Sequence, residues 1–220
     1  MSMNKAIHGA VRRDLTRFLD ALDTFPDSDR ARAEHAAWAN FDDQLTRHHQ
    51  SEHEIAWPAL QAVGISRELI AQMDDEHDRM AQALASAGDA IAALRNSAPA
   101  ADAATAREAV ATLKAVAVEH LDHEEAELEP IYVDKRDDPA IKAMGRRFGK
   151  VSPPVAGTFF AWVTHGATPE ESVAIKSTSP VRCWRSSAAS SAGSTAARSR
   201  PSGASPTWSY HADGLNDSLA

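Results

Sequence analysis

A histidine, a glutamate one helical turn later and a proline six residues beyond that occur twice in this chain, as His48-x3-Glu52-x5-Pro58 and His120-x3-Glu124-x5-Pro130. Around both copies the apolar residues recur at alternating steps of three and four, the spacing of a helix face turned toward a core. One seam runs Trp38, Phe41, Leu45, His48, Glu52, Ile55 and the other Ala106, Val110, Leu113, Ala117, His120, Glu124, Glu127. Two more seams carry one histidine each: His8, Val11, Leu15, Phe18, Leu22, and Ile70, Met73, His77, Met80, Leu84, Ala87, Ile91, Leu94. Buried imidazoles and carboxylates without partners cost several kcal/mol apiece. Six of them on four apolar faces restrict the chain to folds that bring these groups to one another.

Alanine, leucine and acidic residues dominate up to about residue 128, with few glycines and few β-branched runs, which favours helix over strand. Breaks near Phe25-Pro26, Gly64-Ile65-Ser66, Ser97-Ala98-Pro99 and Pro130 leave four long helical segments. Ser28, Ser66 and Asp102 suit the N-caps of the second, third and fourth. Short connections make consecutive helices antiparallel neighbours, so the expected fold is all-α, an up-down-up-down four-helix bundle over residues 1–135. Shorter amphipathic pieces at 154–165 and 169–176 predict a helical C-terminal extension over 136–178.

The remainder, 179–220, is of another composition. Twelve of the chain's twenty serines fall at or after Ser177, in a stretch with few large aliphatics, so a disordered tail is expected. Cys183, Trp184 and the Arg/Ser/Ala run also resemble a GC-rich gene read out of frame. With synonymous codons chosen freely, 179–204 back-translates one frame over to VPGAVLAVISGLFGREYRREVATVWR, an amphipathic segment compatible with the preceding helices.

Charge and composition narrow the function classes. Lys and Arg total 23 against 31 Asp and Glu, a net charge of -8, so no general attraction to nucleic acid or anionic lipid is expected. No apolar run is long enough to cross a membrane. The first ten residues lack the apolar stretch of a signal peptide and Cys183 is the single cysteine, which makes the cytoplasm the expected location. Histidine is the unusual entry, 10 against two tyrosines.

Whether the seam histidines meet depends on their height, at about 1.5 Å of rise per residue. From a turn near residue 26, His8 lies about 18 residues back and His48 about 22 forward. From turns near residues 63 and 98, His48 and His77, then His77 and His120, match to within about one residue. All four converge on one layer with Glu52 and Glu124. Two carboxylates able to bridge two ions, and four neutral nitrogens able to cap them two apiece, suit iron or manganese better than structural zinc.

His8, the segment HHQSEHEIAWPAL (48–60), DDEHDRM (74–80) and HLDHEEAELEPIY (120–132) resemble the hemerythrin-like, or HHE cation-binding, domain over about residues 1–135. The stretch 153–171, with Thr158-Phe-Phe-Ala-Trp162, is similar to the C-terminal extension of some bacterial members. The resemblance implies a four-helix bundle with a non-haem di-iron centre that binds oxygen or related small ligands. It implies His8, His48, Glu52, His77, His120 and Glu124 as metal ligands, the glutamates bridging two iron ions, with manganese and zinc ranked below iron. Oxygen-carrying hemerythrins have a second histidine one turn before the third-helix ligand, where this chain has Met73. They also place an aspartate five residues after the fourth-helix histidine, where this chain has Glu124 at four and Glu125 at five. A missing imidazole predicts a more open or labile iron, where a small ligand would be activated rather than stored.

The expected function is binding or sensing of oxygen, NO or peroxide. The alternatives are a di-iron enzyme that decomposes peroxide or reduces NO, and an iron-responsive module whose bundle closes only around metal. The sequence names no redox partner. His49 and His53 lie about 100° around the helix from the ligand face and are expected to be solvated or supporting. His123 is the best-placed extra ligand, with exposed surface the simpler reading, and His35, His165 and His211 fall outside the layer. Trp38, Phe41 and Trp57 read as packing around the site, and Glu76, Glu125 and Glu127 as orienting groups or charged surface.

Overall fold

Ser2 accepts a hydrogen bond from the Lys5 amide (3.1 Å) and so opens the first helix, α1 (Met3–Asp23). In the computed structural model, which describes residues 1–24, 28–97 and 100–178, the regular structure is all helical, with no strand among the described residues. α2 (Ser28–Ser51) runs into a π-helical turn (Glu52–Ala56) and then α3 (Trp57–Ala62). α4 (Arg67–Ser97) and α5 (Ala100–Glu127) follow, then α6 (Glu129–Asp134), α7 (Pro139–Phe148), α8 (Pro153–Thr164) and α9 (Pro169–Thr178). Gly64, at φ 102, makes the turn before α4, whose start Ser66 caps by accepting from the Leu69 amide (3.1 Å). Asp102 is not a cap: α5 already begins at Ala100, and the carboxylate lies in its first turn, where it complements the helix dipole.

α1 packs on α5 and α2, and α4 packs on α5 and α2, which closes a ring of four long helices. The seam residues of α1 and α4 are buried throughout. Two seam positions differ from expectation. Ile55 is only half-buried, and Ala56, Trp57 and Leu60 take the core instead. The cause is the π-turn, in which the Trp57 amide donates to the Glu52 carbonyl, five residues back, and the face advances by one residue. Pro58 has no amide hydrogen and its ring crowds the preceding turn, which the wider π-turn accommodates. In α5, Glu127 is exposed and Leu128 is fully buried. A buried leucine contributes about 1.5–3 kcal/mol whereas a buried carboxylate costs free energy, so the last seam step is four rather than three.

The apolar core is split in two. One cluster holds Leu15, Phe18, Phe41, Leu45, Met80, Leu113 and Leu121 among others. The other holds Ala56, Trp57, Leu60, Ile70, Met73, Leu128 and Ile141. Along α4 and α5 the residues between the two clusters are His77 and Glu124, and between Leu45 and Ala56 they are His48 and Glu52, so a polar layer lies at the seam.

The segment beyond α6 folds back on the bundle. α7 inserts Ile141 into the second cluster and packs on α3 and the π-turn. α8 and α9 lie on α1, where the Trp162 indole donates to Asp14 (2.8 Å). Gly9 leaves room at this contact for the carboxylate of buried Glu171, which a larger residue there would displace. No helix among the described residues is long and apolar enough to cross a membrane. The 179–220 segment and its frame reading lie outside the described residues, as does His211.

Candidate metal centre

α1, α2, α4 and α5 each bring a seam histidine to the polar layer, and α5 and the π-turn bring the carboxylates. His8, Glu52, His77, His120 and Glu124 are at most 3% exposed and His48 is 9% exposed. They gather into two adjoining groups, each with its ligand-capable atoms within 4.8 Å of one another. The first is His8, His48, Glu52 and Glu124, and the second is His49, His77 and His120. Glu52 spans both: one oxygen lies 3.4 Å from His48 Nε2 and the other 3.5 Å from His77 Nε2. Glu124 Oε2 lies 3.1 Å from His8 Nε2 and 3.8 Å from His120 Nε2.

Supporting groups fix which nitrogens face inward. His120 Nδ1 lies 2.8 Å from Glu76, and His8 Nδ1 lies 3.1 Å from Glu125. A carboxylate only accepts, so each Nδ1 carries a hydrogen and each Nε2 is the nitrogen that faces the interior. There His77 Nε2 donates to His120 Nε2 (3.1 Å). Asn4 donates to Glu124 Oε1 (2.9 Å), and Trp57 stacks on His77 while its indole donates to Asp74 (2.8 Å).

Burial is the largest influence on the titrating groups of the layer. Burial pushes the His48 imidazole down to about 3, with His8 and His120 adding to the fall. Burial and neighbouring imidazoles also push His49 and His77 well down. Burial lowers His120 more than the nearby carboxylates raise it. Burial and the Glu124 charge drive Glu52 well above the usual carboxylate range. His8 goes the other way: burial lowers it, but Glu124 and then Glu125 raise it overall. Glu124 is correspondingly low; burial raises it, and His8, His48 and His120 outweigh that. Burial likewise raises Glu125, but bonds from His8, Arg12 and Lys5 bring it to about 2.

Burial lifts Tyr132 well above its ordinary value, helped by Glu124 and Glu52, so its hydroxyl keeps its proton beside the carboxylates.

The donor set fits a cation. His48 Nε2, His49 Nε2, both oxygens of Glu52, His77 Nδ1 and Glu124 Oε2 are buried without a hydrogen-bond partner. Native interiors rarely leave so many polar atoms unpaired, and imidazole nitrogens and carboxylate oxygens gathered this closely suit a shared cation. A family model, the hemerythrin HHE cation binding domain, matches residues 3–132. This chain belongs to the hemerythrin HHE family. Neither the curated proteins nor the solved structures give a significant match to it.

For this HHE domain, residue patterns alone missed Asn4, Tyr132 and the place of His49. His49 was expected on a solvated or supporting face, yet its ring stacks on His77 with centroids 4.1 Å apart and an interplanar angle of 20°. The doublet His48-His49 was the available signal, since two layers of ligands at neighbouring heights can use two adjacent helix positions. His53 is exposed and pairs with Asp74, and His123 Nδ1 donates to Glu76 (2.8 Å) away from both groups. Glu76 and Glu125 orient imidazoles, and exposed Glu127 does not reach them. His165 caps α8 and meets Arg17.

Proposed function

We propose that this HHE domain is a non-haem di-iron protein that binds or senses oxygen, NO or peroxide, on an up-down-up-down bundle. In this reading His8 and His48 hold one iron, His77 and His120 the other, and Glu52 and Glu124 bridge them. The observation that carries it is Glu52: its carboxylate is buried, lacks a hydrogen-bond partner, and turns one oxygen toward each histidine group. A hard divalent or trivalent ion with mixed nitrogen and oxygen ligands is the species such a carboxylate accommodates, and iron supplies reversible binding or redox chemistry toward small ligands when bound. The chain's own residues shield the layer with two apolar clusters, and Glu125 and Glu76 fix the His8 and His120 imidazoles from behind. Metal analysis and an absorption spectrum of protein purified without chelator test the reading. Two irons per chain with an oxygen-dependent spectrum support it. Zinc alone, or one ion per chain, overturns it, and steady peroxide or NO turnover moves the assignment to an enzyme.

A further inference from the structure

We propose that His49 is a seventh metal ligand, completing the second group from α2 in place of the imidazole that α4 lacks at Met73. The inference rests on the two-ion reading above. Met73 stands one turn before His77, is fully buried and packs in the apolar cluster with Trp57, Leu60 and Leu128, so it brings no nitrogen to the layer. His49 brings one instead. Its Nε2 is buried with no hydrogen-bond partner, and it shares a group with His77 and His120 in which the ligand-capable atoms lie within 4.8 Å of one another.

The means is local. Residues i and i+1 of a helix point about 100° apart. At the edge of α2 that angle turns His48 toward His8 and Glu124 and its neighbour His49 toward His77 and His120. An ion lies in the plane of each imidazole that binds it, so from their near-parallel stacking His49 and His77 turn about their Cβ–Cγ bonds to serve one ion from two helices. The ion beside His77 is thus held by three nitrogens and is not the open, labile one that Met73 suggests.

The test uses the full chain, loaded anaerobically with Fe(II) alone, and reads ions per chain and their affinities by chelator competition, with circular dichroism to confirm folding. Losing a supporting group costs about 10–100-fold in metal affinity, so losing a direct ligand should cost at least that at one of two ions. His49→Ala and His49→Phe are both expected to drop the second ion, the latter although it keeps an aromatic ring against His77. Met73→His added to His49→Ala is expected to restore it. Retention of two ions at native affinity in either single variant overturns the assignment and leaves His49 a packing residue. A native chain that takes fewer than two ions overturns the two-ion reading itself, and this proposal with it. If the variants do not fold, nitrogen NMR of the imidazoles in the Zn(II)-loaded native chain decides: a His49 Nε2 resonance moved by metal supports ligation, and an unmoved one overturns it.

Discussion

Glu76 holds two imidazoles at once, accepting from Nδ1 of His120 and of His123 at 2.8 Å each. It contributes no atom to the layer, yet it decides which His120 nitrogen faces inward. Glu76→Gln leaves one accepting oxygen and places an amide hydrogen against the other imidazole N–H. We expect iron binding about 10-fold weaker with the fold intact, measured by chelator competition, and an unchanged affinity would show that packing alone orients His120. The residue scale is also where sequence reading is strongest. His8, His48, Glu52, His77, His120 and Glu124 announce themselves because polar groups stand where apolar periodicity demands carbon. Asn4 gives no such signal, since a polar residue near the start of a helix is ordinary, and only the tertiary contact with Glu124 gives it a role.

The π-turn is the element that most changes the reading. By advancing the face one residue it replaces Ile55 with Ala56 in the core and places Trp57 against His77 and Asp74. A π-turn amounts to a one-residue insertion in an α-helix. Deleting exposed Glu54 should therefore convert the segment to α-helix while Ala56, Trp57 and Leu60 keep their core positions. Because an α-turn sets the Pro58 ring against the preceding turn, the expected loss of stability is about 3 kcal/mol, or about 6–12 °C in melting temperature for a chain of this size. Loss of cooperative unfolding in a calorimetric scan would show that the wide turn is itself needed by the fold. Pro58 makes a break legible in sequence, but not its form, because a proline is met equally by a kink, a stop or a π-turn.

Across the whole molecule, the polar layer makes stability depend on pH once metal is removed. His48, held down to about 3 by burial, and His49, His77 and His120, also lowered by burial, stay neutral in the folded chain while the unfolded chain protonates near 6.5. Their folded values lie below the unfolded one, so the unfolded state binds more protons and stability falls as pH drops below about 6.5. His8, raised chiefly by Glu124 against its burial, and Glu52, raised by burial, act in the opposite sense. Glu124 is lowered and adds to the acid loss. Each lowered imidazole costs up to about 1.4 kcal/mol per pH unit, so the four outweigh His8 and Glu52 together. Urea midpoints of chelated protein should fall from pH 7.5 to 5.5, and a flat profile would mean that these imidazoles are hydrated. By itself the sequence determined the helices, the polar layer and its six groups, because periodicity and buried-charge cost are local properties of a chain read against a helix. Only the tertiary structure decided the partition into two groups and the place of His49. Which side of a helix edge a residue faces depends on the neighbours it packs against and on the one-residue shift that follows it, and neither is written in the spacing.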